Sequence, residues 1–225
     1  MNGMPASDSA PTGAVRLHDY FRSSAAYRVR IALNLKGVAY ESVPRDLRHG
    51  EQRSPDYLAA NPQGLVPMLE MDGLRLTQSL AIIDYLDARF PDPPLLPADP
   101  AARAQVLAMA LLVACEIHPI NNLRVLRYLK NGMGQDQTAI DGWYVHWISE
   151  GLGALEAMAA RHAGRYLSGD RPGLADICLV PQLYNARRFS APLEEYPTLV
   201  RIDAALAAHP AFAAAHPDHQ APAEG

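Results

Sequence analysis

Hydrophobic and polar positions in the first ninety residues follow two different spacings. Residues 15–18 alternate between apolar and polar side chains, which predicts a strand. From Val29 to Lys36 the apolar residues return at helical spacing, and Gly37 follows as a residue suited to end a helix. The chain therefore begins with a predicted strand, a turn and a helix.

A hairpin and a further helix complete this first segment. The dipeptide Asp72-Gly73 predicts a two-residue turn between strands that together span residues 68–77. Ser79 precedes apolar residues at helical spacing and predicts the N-cap of a helix. Between these parts we predict a strand over residues 38–43 and a short helix over residues 55–60. The predicted order is β-α-β-α-β-β-α.

A proline-rich segment separates the two parts of the chain. Five of the ten residues from 91 to 100 are proline, and no regular element is expected to cross them because proline fixes φ and lacks a donor. Beyond this segment only helical periodicity remains. The predicted helices cover residues 101–130, 136–163, 174–186 and 199–208. From His209 onward the periodicity is lost, which predicts a loosely held tail.

The same patterns define domains. We predict an α/β domain over residues 15–90, a linker over residues 91–100 and an all-helical domain over residues 101–217. The ends, residues 1–14 and 218–225, are expected to be flexible. A chain of 225 residues supports one large domain or two small ones and is long enough to bury a core without disulfides or a metal.

Composition argues against several classes of function. Twenty basic and 24 acidic residues give a net charge of −4 without basic blocks, which argues against nucleic-acid binding. The longest strongly apolar stretch, residues 106–115, is about half a membrane span, so we expect no transmembrane helix. Cys115 and Cys178 lie in apolar helical patterns and are expected to be buried thiols, which favours the cytoplasm. Residues 216–219 lack the spacing of a closed metal site, and no metal is expected.

Two serines lie at the junction between the first predicted strand and the first predicted helix. Ser23 and Ser24 are suited to cap that helix, because a serine oxygen accepts a hydrogen bond from an N–H group of the first turn. The same place offers a hydroxyl donor at the positive end of a helix, which suits a bound thiolate or another anion. From these residues alone both interpretations stay open.

Two further motifs are weak when taken alone. In Gln63–Pro67 a proline stands directly before a strand, and such a residue is usually trans. In Thr77–Ser79 the serine either caps a helix or holds a carboxylate with the N–H groups of the first turn. The order and spacing of the three motifs within one domain are more specific than any of them alone.

Together these motifs resemble zeta-class glutathione transferases, and within that class the maleylacetoacetate and maleylpyruvate isomerases. The resemblance covers residues 15–217 and runs through Leu17–Gly37, Asn61–Pro67, Gln78–Leu86, Cys115–Asn122, Gly169-Asp170, Ala175-Asp176 and Leu179–Gln182. It implies the glutathione transferase fold, which is an α/β thioredoxin-like N-terminal domain followed by an all-α C-terminal domain. It also implies glutathione as cofactor and, usually, a homodimer.

The resemblance assigns glutathione-binding roles to residues of all three motifs. Val66-Pro67 is implied to be a cis bond whose flanking backbone pairs with the cysteinyl part of glutathione. The sulfur is assigned to Ser23 and Ser24 as the catalytic residues, the γ-glutamyl end to Gln78 and Ser79, the other end to Gln52, and further contacts to His118 and Asn122.

The implied reaction is the cis–trans isomerisation of a maleyl dicarboxylate. The glutathione thiolate adds to the cis double bond, the bond rotates, and elimination releases the fumaryl isomer. Such a substrate carries two carboxylates, which guanidinium groups bind bidentately. The residues expected to face the substrate, some of them in a cleft between the domains, are Arg22, His118, Asn122, Arg124 and Arg188.

Two positions depart from the pattern of the family. Ala25 stands where the family commonly has a cysteine, and Gly173 stands where it commonly has a serine or threonine cap. The loss of the cysteine puts chemistry that needs a protein thiol in doubt. Two other functions therefore stay open: a broader zeta-class transferase or dehalogenase, and a non-catalytic glutathione-binding protein.

Overall fold

The computed structural model describes residues 10–220, which form two compact units. One unit contains the residues up to Pro94 together with those from His209 onward, and the other contains Leu95–Ala208. The chain passes from the first unit to the second inside the proline-rich segment, where proline prevents regular structure.

A four-stranded mixed sheet forms the centre of the first unit. Strand β1 (Arg16–Asp19) pairs in parallel with β2 (Glu41–Pro44) and antiparallel with β3 (Met68–Met71). β3 forms a hairpin with β4 (Leu74–Thr77), and the strand order is β2-β1-β3-β4. The hairpin turns at Asp72-Gly73, where both residues have positive φ, as the two-residue turn requires.

Three helices accompany this sheet, and the predicted order β-α-β-α-β-β-α is confirmed. They are α1 (Ser24–Leu35), α2 (Pro55–Ala60) and α3 (Ser79–Arg89). β2 begins three residues later than predicted. The reason is that the N–H of Val38 still closes the end of α1, donating to the carbonyl of Leu33 at 2.9 Å, whereas pairing with β1 begins at Glu41.

Helices build the second unit. They are α4 (Pro100–Leu111), α5 (His118–Ile120), α6 (Leu123–Asn131), α7 (Gln137–His162), α8 (Leu174–Arg188) and α9 (Pro197–Ala207). On α7 the fully buried residues Ile148, Leu152 and Leu155 recur at helical spacing, and α8 is buried along most of its length. The predicted fold class, an α/β domain followed by an all-helical one, is confirmed.

The helix predicted over residues 101–130 is interrupted. A π-helical turn covers Leu112–Ile117, and Pro119, which lacks an N–H group, lies in the short helix that follows. The next helix has its own N-cap, Asn122, whose Oδ1 accepts from the N–H of Arg124 at 3.2 Å. The apolar spacing continues across this break, so periodicity alone predicts one helix over residues 101–130.

The interruption also explains why one cysteine prediction is wrong. Val113 and Ile117 are the buried residues of the π turn, and Cys115 between them is exposed. The π turn widens the helix and changes which residues face the core. Cys178, in the middle of α8, is buried as expected.

The helical run Pro100–Asn131 is long and apolar enough, by length and composition alone, to cross a membrane. One third (33%) of its most apolar window is buried inside the described structure. A core helix of a globular protein meets the same criterion, and this run is divided by the π turn and the cap at Asn122. The expectation that the chain has no membrane span stays a prediction.

The prediction of a loosely held tail is wrong for the part of the tail that the structure describes. Residues Pro210–Ala215 form helix α10, which packs against α1. Asn34 donates to the carbonyl of Ala211 at 2.9 Å, and the buried guanidinium of Arg30 donates to the carbonyl of Ala215 at 3.0 Å. Sequence periodicity does not report such tertiary contacts. Residues 221–225 and 1–9 lie outside the described residues.

Candidate active site

Ser23 is the N-cap of α1, at the end of the turn that follows β1. Its backbone is extended (φ −72°, ψ 116°), and its Oγ accepts from the N–H of Ala26 at 3.2 Å. Because a hydroxyl that accepts one hydrogen bond still carries its own hydrogen, Ser23 can donate to a second partner. Ser24, the first residue of the helix, is buried. The capping and anion-holding interpretations of this serine pair are therefore compatible.

Arg22 is exposed at the same turn. Its guanidinium carbon lies 4.9 Å from the centroid of the Phe21 ring, within range of a cation–π contact. An exposed cation therefore directly precedes the serine pair along the chain. The structure does not test the predicted role of that cation in substrate binding.

The loop ahead of β3 carries the predicted cis bond. Val66-Pro67 is cis, which confirms the prediction. The carbonyl of Leu65, directly before it, accepts from the Tyr57 hydroxyl at 2.7 Å and from Asn61 Nδ2 at 2.7 Å. Tyr57 and Asn61 are both almost fully buried. Two buried donors therefore hold one backbone oxygen of this loop.

The sequence alone does not predict this pair of donors. Tyr57 and Asn61 are four residues apart, a spacing that places two side chains on the same side of a helix and its C-cap. That spacing was visible in the sequence. Their common target was not, because hydrogen bonding to a loop carbonyl depends on the tertiary structure.

The N-terminus of α3 carries the third motif. Gln78 has an unusual backbone with φ 68°, and its Nε2 donates to Gln63 Oε1 at 2.7 Å, which joins it to the loop of the cis bond. Ser79 is 6% exposed, and its Oγ accepts from Arg28 Nη1 at 3.4 Å. Arg28 is itself only 2% exposed. The sequence does not single out Arg28, because an arginine within a helix is usually a solvent-exposed residue and its burial depends on the tertiary structure.

Gln52 lies in a short 3₁₀ turn, Glu51–Arg53, and is 8% exposed. Its Oε1 is buried and has no hydrogen-bond partner among the described residues. The turn packs tightly on Gly64, where an added Cβ would lie 2.9 Å from the carbonyl oxygen of Gln52. Gly64 also has φ 59°, so this close approach to the loop of the cis bond favours glycine.

The contacts above join the predicted glutathione-site residues of the first unit. Arg28 links α1 to Ser79, Gln78 links α3 to the loop of the cis bond, and Gly64 links that loop to the turn that carries Gln52. A buried acceptor without a partner suits a donor of a bound peptide, and a helix N-terminus with a serine suits a carboxylate. The residues present thus fit glutathione.

Three of the predicted substrate residues lie close together in the second unit. His118 Nε2 and Asn122 Nδ2 are 3.4 Å apart, and the Oδ1 of Asn122 takes the N–H of Arg124 as the cap of α6. The Arg124 side chain is exposed. Asn122 is thus the N-cap of α6. A substrate role for these residues stays a prediction.

Arg188 lies at the C-terminal end of α8. It is exposed, and its Nη1 donates to Asn185 Oδ1 at 3.2 Å. The guanidinium carbon lies 5.7 Å from the centroid of the Phe189 ring, which stacks on the buried Tyr144. Burial raises the pKa of Tyr144, and the Arg188 charge opposes that shift. Tyr144 therefore remains a neutral phenol beside Arg188 at physiological pH.

Gly173 and Asp176 form the start of α8. The Asp176 carboxylate accepts from the N–H groups of Leu167, Ser168 and Gly173 at 2.8, 3.1 and 3.0 Å. A Cβ added at Gly173 would lie 2.6 Å from the carbonyl oxygen of Leu95 and 2.8 Å from the Ser168 side chain. The serine or threonine that the family commonly has at this position would therefore not fit here without a shift of its neighbours.

Comparisons with known proteins agree with this geometry. The family model for the glutathione S-transferase N-terminal domain matches residues 17–94. The family model for the C-terminal domain matches residues 141–218. A maleylacetoacetate isomerase of Rhizobium meliloti (strain 1021) is 52% identical over 207 residues, 92% of this chain and 97% of the relative. The holo structure of a maleyl pyruvate isomerase, a bacterial zeta-class glutathione S-transferase, has a TM-score of 0.90 at 45% identity, covering 93% of this chain and 100% of that one.

A second solved relative carries ligands. The maleylacetoacetate isomerase of Anaeromyxobacter dehalogenans 2CP-1, with glutathione bound in its active site, has a TM-score of 0.85 at 47% identity, covering 94% of this chain and 98% of that one. Another structure of that protein holds dicarboxyethyl glutathione and citrate in the active site. Identity at this level over nine tenths of the chain confirms the resemblance drawn from the motifs. The chain therefore belongs to the zeta class of the glutathione S-transferase family.

Proposed function

We propose that this protein is a glutathione-dependent cis–trans isomerase of a maleyl dicarboxylate, either maleylacetoacetate or maleylpyruvate. The observation that carries the proposal is the geometry of Ser23, whose oxygen is engaged as the N-cap of α1 while its hydrogen remains available to donate. A hydroxyl donor at a positive helix end is what a bound thiolate requires. The names of the relatives support the same substrate class.

The energy needed to ionise the sulfur is within reach of these groups. A thiol with a pKa of about 8.5 is mostly protonated at neutral pH, and lowering that pKa by about two units takes roughly 2.7 kcal/mol. A hydrogen bond to a charged acceptor contributes about 1.5–3 kcal/mol, and a helix N-terminus adds about 0.3–1 kcal/mol. Ser23 or Ser24 together with the end of α1 therefore suffices without a basic residue.

The other motifs hold the rest of the peptide in this proposal. Ser79 at the N-terminus of α3, with Gln78, binds the γ-glutamyl end, and the backbone at Val66-Pro67 pairs with the cysteinyl part. The buried Oε1 of Gln52, which lacks a partner among the described residues, accepts an amide hydrogen of the other end. When bound, glutathione supplies a thiolate that adds to the substrate double bond and leaves again after rotation, so it is not consumed.

The substrate carboxylates need cationic partners. We assign this role to Arg22, Arg124 and Arg188, whose side chains are all exposed, because guanidinium groups bind carboxylates bidentately. His118 and Asn122, which contact each other, complete the assigned set and also help to bind glutathione. None of these steps uses a protein thiol. Ala25 in place of the family cysteine is therefore compatible with isomerisation.

A direct assay tests this function. Purified protein is mixed with maleylpyruvate or maleylacetoacetate, with and without glutathione, and loss of the cis enolate is followed by absorbance. The proposal predicts loss that requires glutathione and does not consume it. If neither substrate is lost while glutathione is conjugated to halogenated acids, the protein is a broader transferase or dehalogenase. Failure to bind immobilised glutathione would refute both functions.

We further propose a homodimer and a cytoplasmic location. Four large apolar side chains of the helical unit, Leu111, Leu123, Tyr128 and Met133, are exposed, and burial against a second chain would remove them from water. Both cysteines are thiols, which fits a reducing compartment. Light scattering on the eluted peak of a size-exclusion column measures the mass, and about twice the 24.5 kDa of one chain is expected.

A further inference from the structure

Arg28 is a buried cation in the second turn of α1. A buried guanidinium is costly unless strong acceptors surround it. Arg30, two residues later, shows the common arrangement: its Nη1 lies 2.9 and 2.7 Å from the two carboxylate oxygens of Asp19. The Nη1 of Arg28 donates to a hydroxyl of another helix, the Oγ of Ser79, at 3.4 Å. A strong donor therefore reaches a residue of the proposed γ-glutamyl site.

This contact determines what Ser79 can do. Arginine has no acceptor atom, so the Ser79 oxygen accepts from Arg28 and the hydroxyl hydrogen must be donated elsewhere. Ser79 is also the first residue of α3, where N–H groups of the first turn lack acceptors within the helix. Hydroxyl, N–H groups and guanidinium all favour an acceptor with negative charge at this position.

We infer that Arg28 is a positioning residue that makes this end of the site selective for the free carboxylate of the γ-glutamyl group. The inference rests on the proposed function, since it takes glutathione as the ligand. Arg28 acts through Ser79: it fixes the hydroxyl as a donor and adds a positive charge beneath the carboxylate. Arg28 should therefore strengthen the binding of glutathione much more than the binding of analogues that lack this carboxylate.

The test compares two ligands by calorimetry on the full-length protein. One is glutathione, and the other is 4-aminobutyryl-cysteinyl-glycine, which differs only by loss of the γ-glutamyl carboxylate. The native protein should bind glutathione more tightly by at least about tenfold, the factor expected for a hydrogen bond to a charged group. Arg28→Met should reduce this ratio below about threefold, and Ser79→Ala should reduce it similarly.

A matched control separates this effect from destabilisation. Lys36 is another buried cation of the same unit, and it donates to Asp87 and to the carbonyls of Phe90 and Pro93, away from Ser79. Lys36→Met should lower the melting temperature as Arg28→Met does but keep the native ligand ratio. Arg28→Lys, which retains the charge, should restore part of the ratio. If Arg28→Met does not fold, Arg28→Gln supplies the same comparison.

The outcomes separate the inference from the function on which it rests. If the native protein discriminates between the ligands and Arg28→Met or Arg28→Gln discriminates equally well, the inference is overturned and the proposed function stands. A native protein that binds glutathione and the analogue equally also overturns the inference alone. A native protein that binds no glutathione overturns the proposed function itself.

Discussion

The hydroxyl of Tyr57 donates to the carbonyl of Leu65 at 2.7 Å, one residue before the cis Val66-Pro67 bond. Asn61 donates to the same oxygen. The loop proposed to pair with the cysteinyl part of glutathione is thus fixed by two buried donors behind it. Preorganised backbone of this kind lowers the entropy cost of binding a peptide.

Removing one of the two donors should weaken glutathione binding without changing the chemistry. We expect Tyr57→Phe to raise the KM for glutathione by about three- to tenfold, the effect of one hydrogen bond, with kcat at saturating glutathione unchanged. Tyr85→Phe is the matched control, because its hydroxyl donates to Asp72 instead. Equal effects of the two variants on KM would contradict the role of Tyr57.

Ser23 combines a cap and a proposed donor, and substitutions can separate these functions. Ser23→Ala should lower kcat by more than about tenfold and lower the free energy of unfolding by about 0.5–2 kcal/mol through loss of the cap. Ser23→Asp restores a capping oxygen but brings a negative charge to the sulfur. It should therefore recover stability and leave kcat low.

Ser23→Thr serves as the control, since it keeps both hydroxyl and cap. Its kcat should lie near that of the native protein. Full activity in Ser23→Ala would assign the donor role to Ser24, which is buried at the first position of the same helix.

His18 should make the stability of the folded protein depend on pH. It is buried in β1, and its Nδ1 faces the Arg45 guanidinium at 3.2 Å, while Glu70 lies 3.6 Å from its Nε2. Burial first, and then Arg45 and Arg16, lower the pKa of His18 below its ordinary value of 6.5, with Glu70 opposing. The folded state thus favours the neutral imidazole. The resulting stability is present above pH 6.5 and is lost as pH falls through the lowered pKa.

Thermal unfolding of the native protein and of His18→Gln measures this contribution. The native protein should lose stability relative to the variant as pH falls from about 7 to about 5, because His18, which the variant lacks, takes up a proton on unfolding. The other titrating groups are common to both proteins and cancel in the difference. A difference that stays constant over this range would show that His18 does not titrate on unfolding.

The sequence predicts much of this molecule where local chemistry decides the outcome. Asp72-Gly73 makes its turn, Ser23 caps its helix, and the β-α-β-α-β-β-α order follows from periodicity. Tertiary contacts decide the rest. Helix α10 is held by Arg30 and Asn34, which its own sequence does not show. Arg28 was missed for the same reason, since its burial against Ser79 is a property of the fold.

Gly173 is the position where family pattern and local packing conflict. We expect Gly173→Ser, which restores the common cap, to destabilise the protein by about 1–3 kcal/mol because its Cβ would approach the Leu95 carbonyl oxygen. Gly153, on an exposed face of α7, has nothing within 4 Å of an added Cβ. Gly153→Ala should therefore stabilise the helix by about 0.5–1 kcal/mol. Chemical denaturation measures both, and a stabilised Gly173→Ser would refute the steric account.

The ionisation of bound glutathione is the most direct test of the account. Ultraviolet absorbance of the thiolate, titrated against pH with the peptide bound, gives the pKa of its thiol. We predict a value of about 6.5 in the native protein and a return toward about 8.5 in Ser23→Ala, Ser24→Ala or the double variant. A bound thiol that titrates near its solution pKa in the native protein would contradict the proposed mechanism.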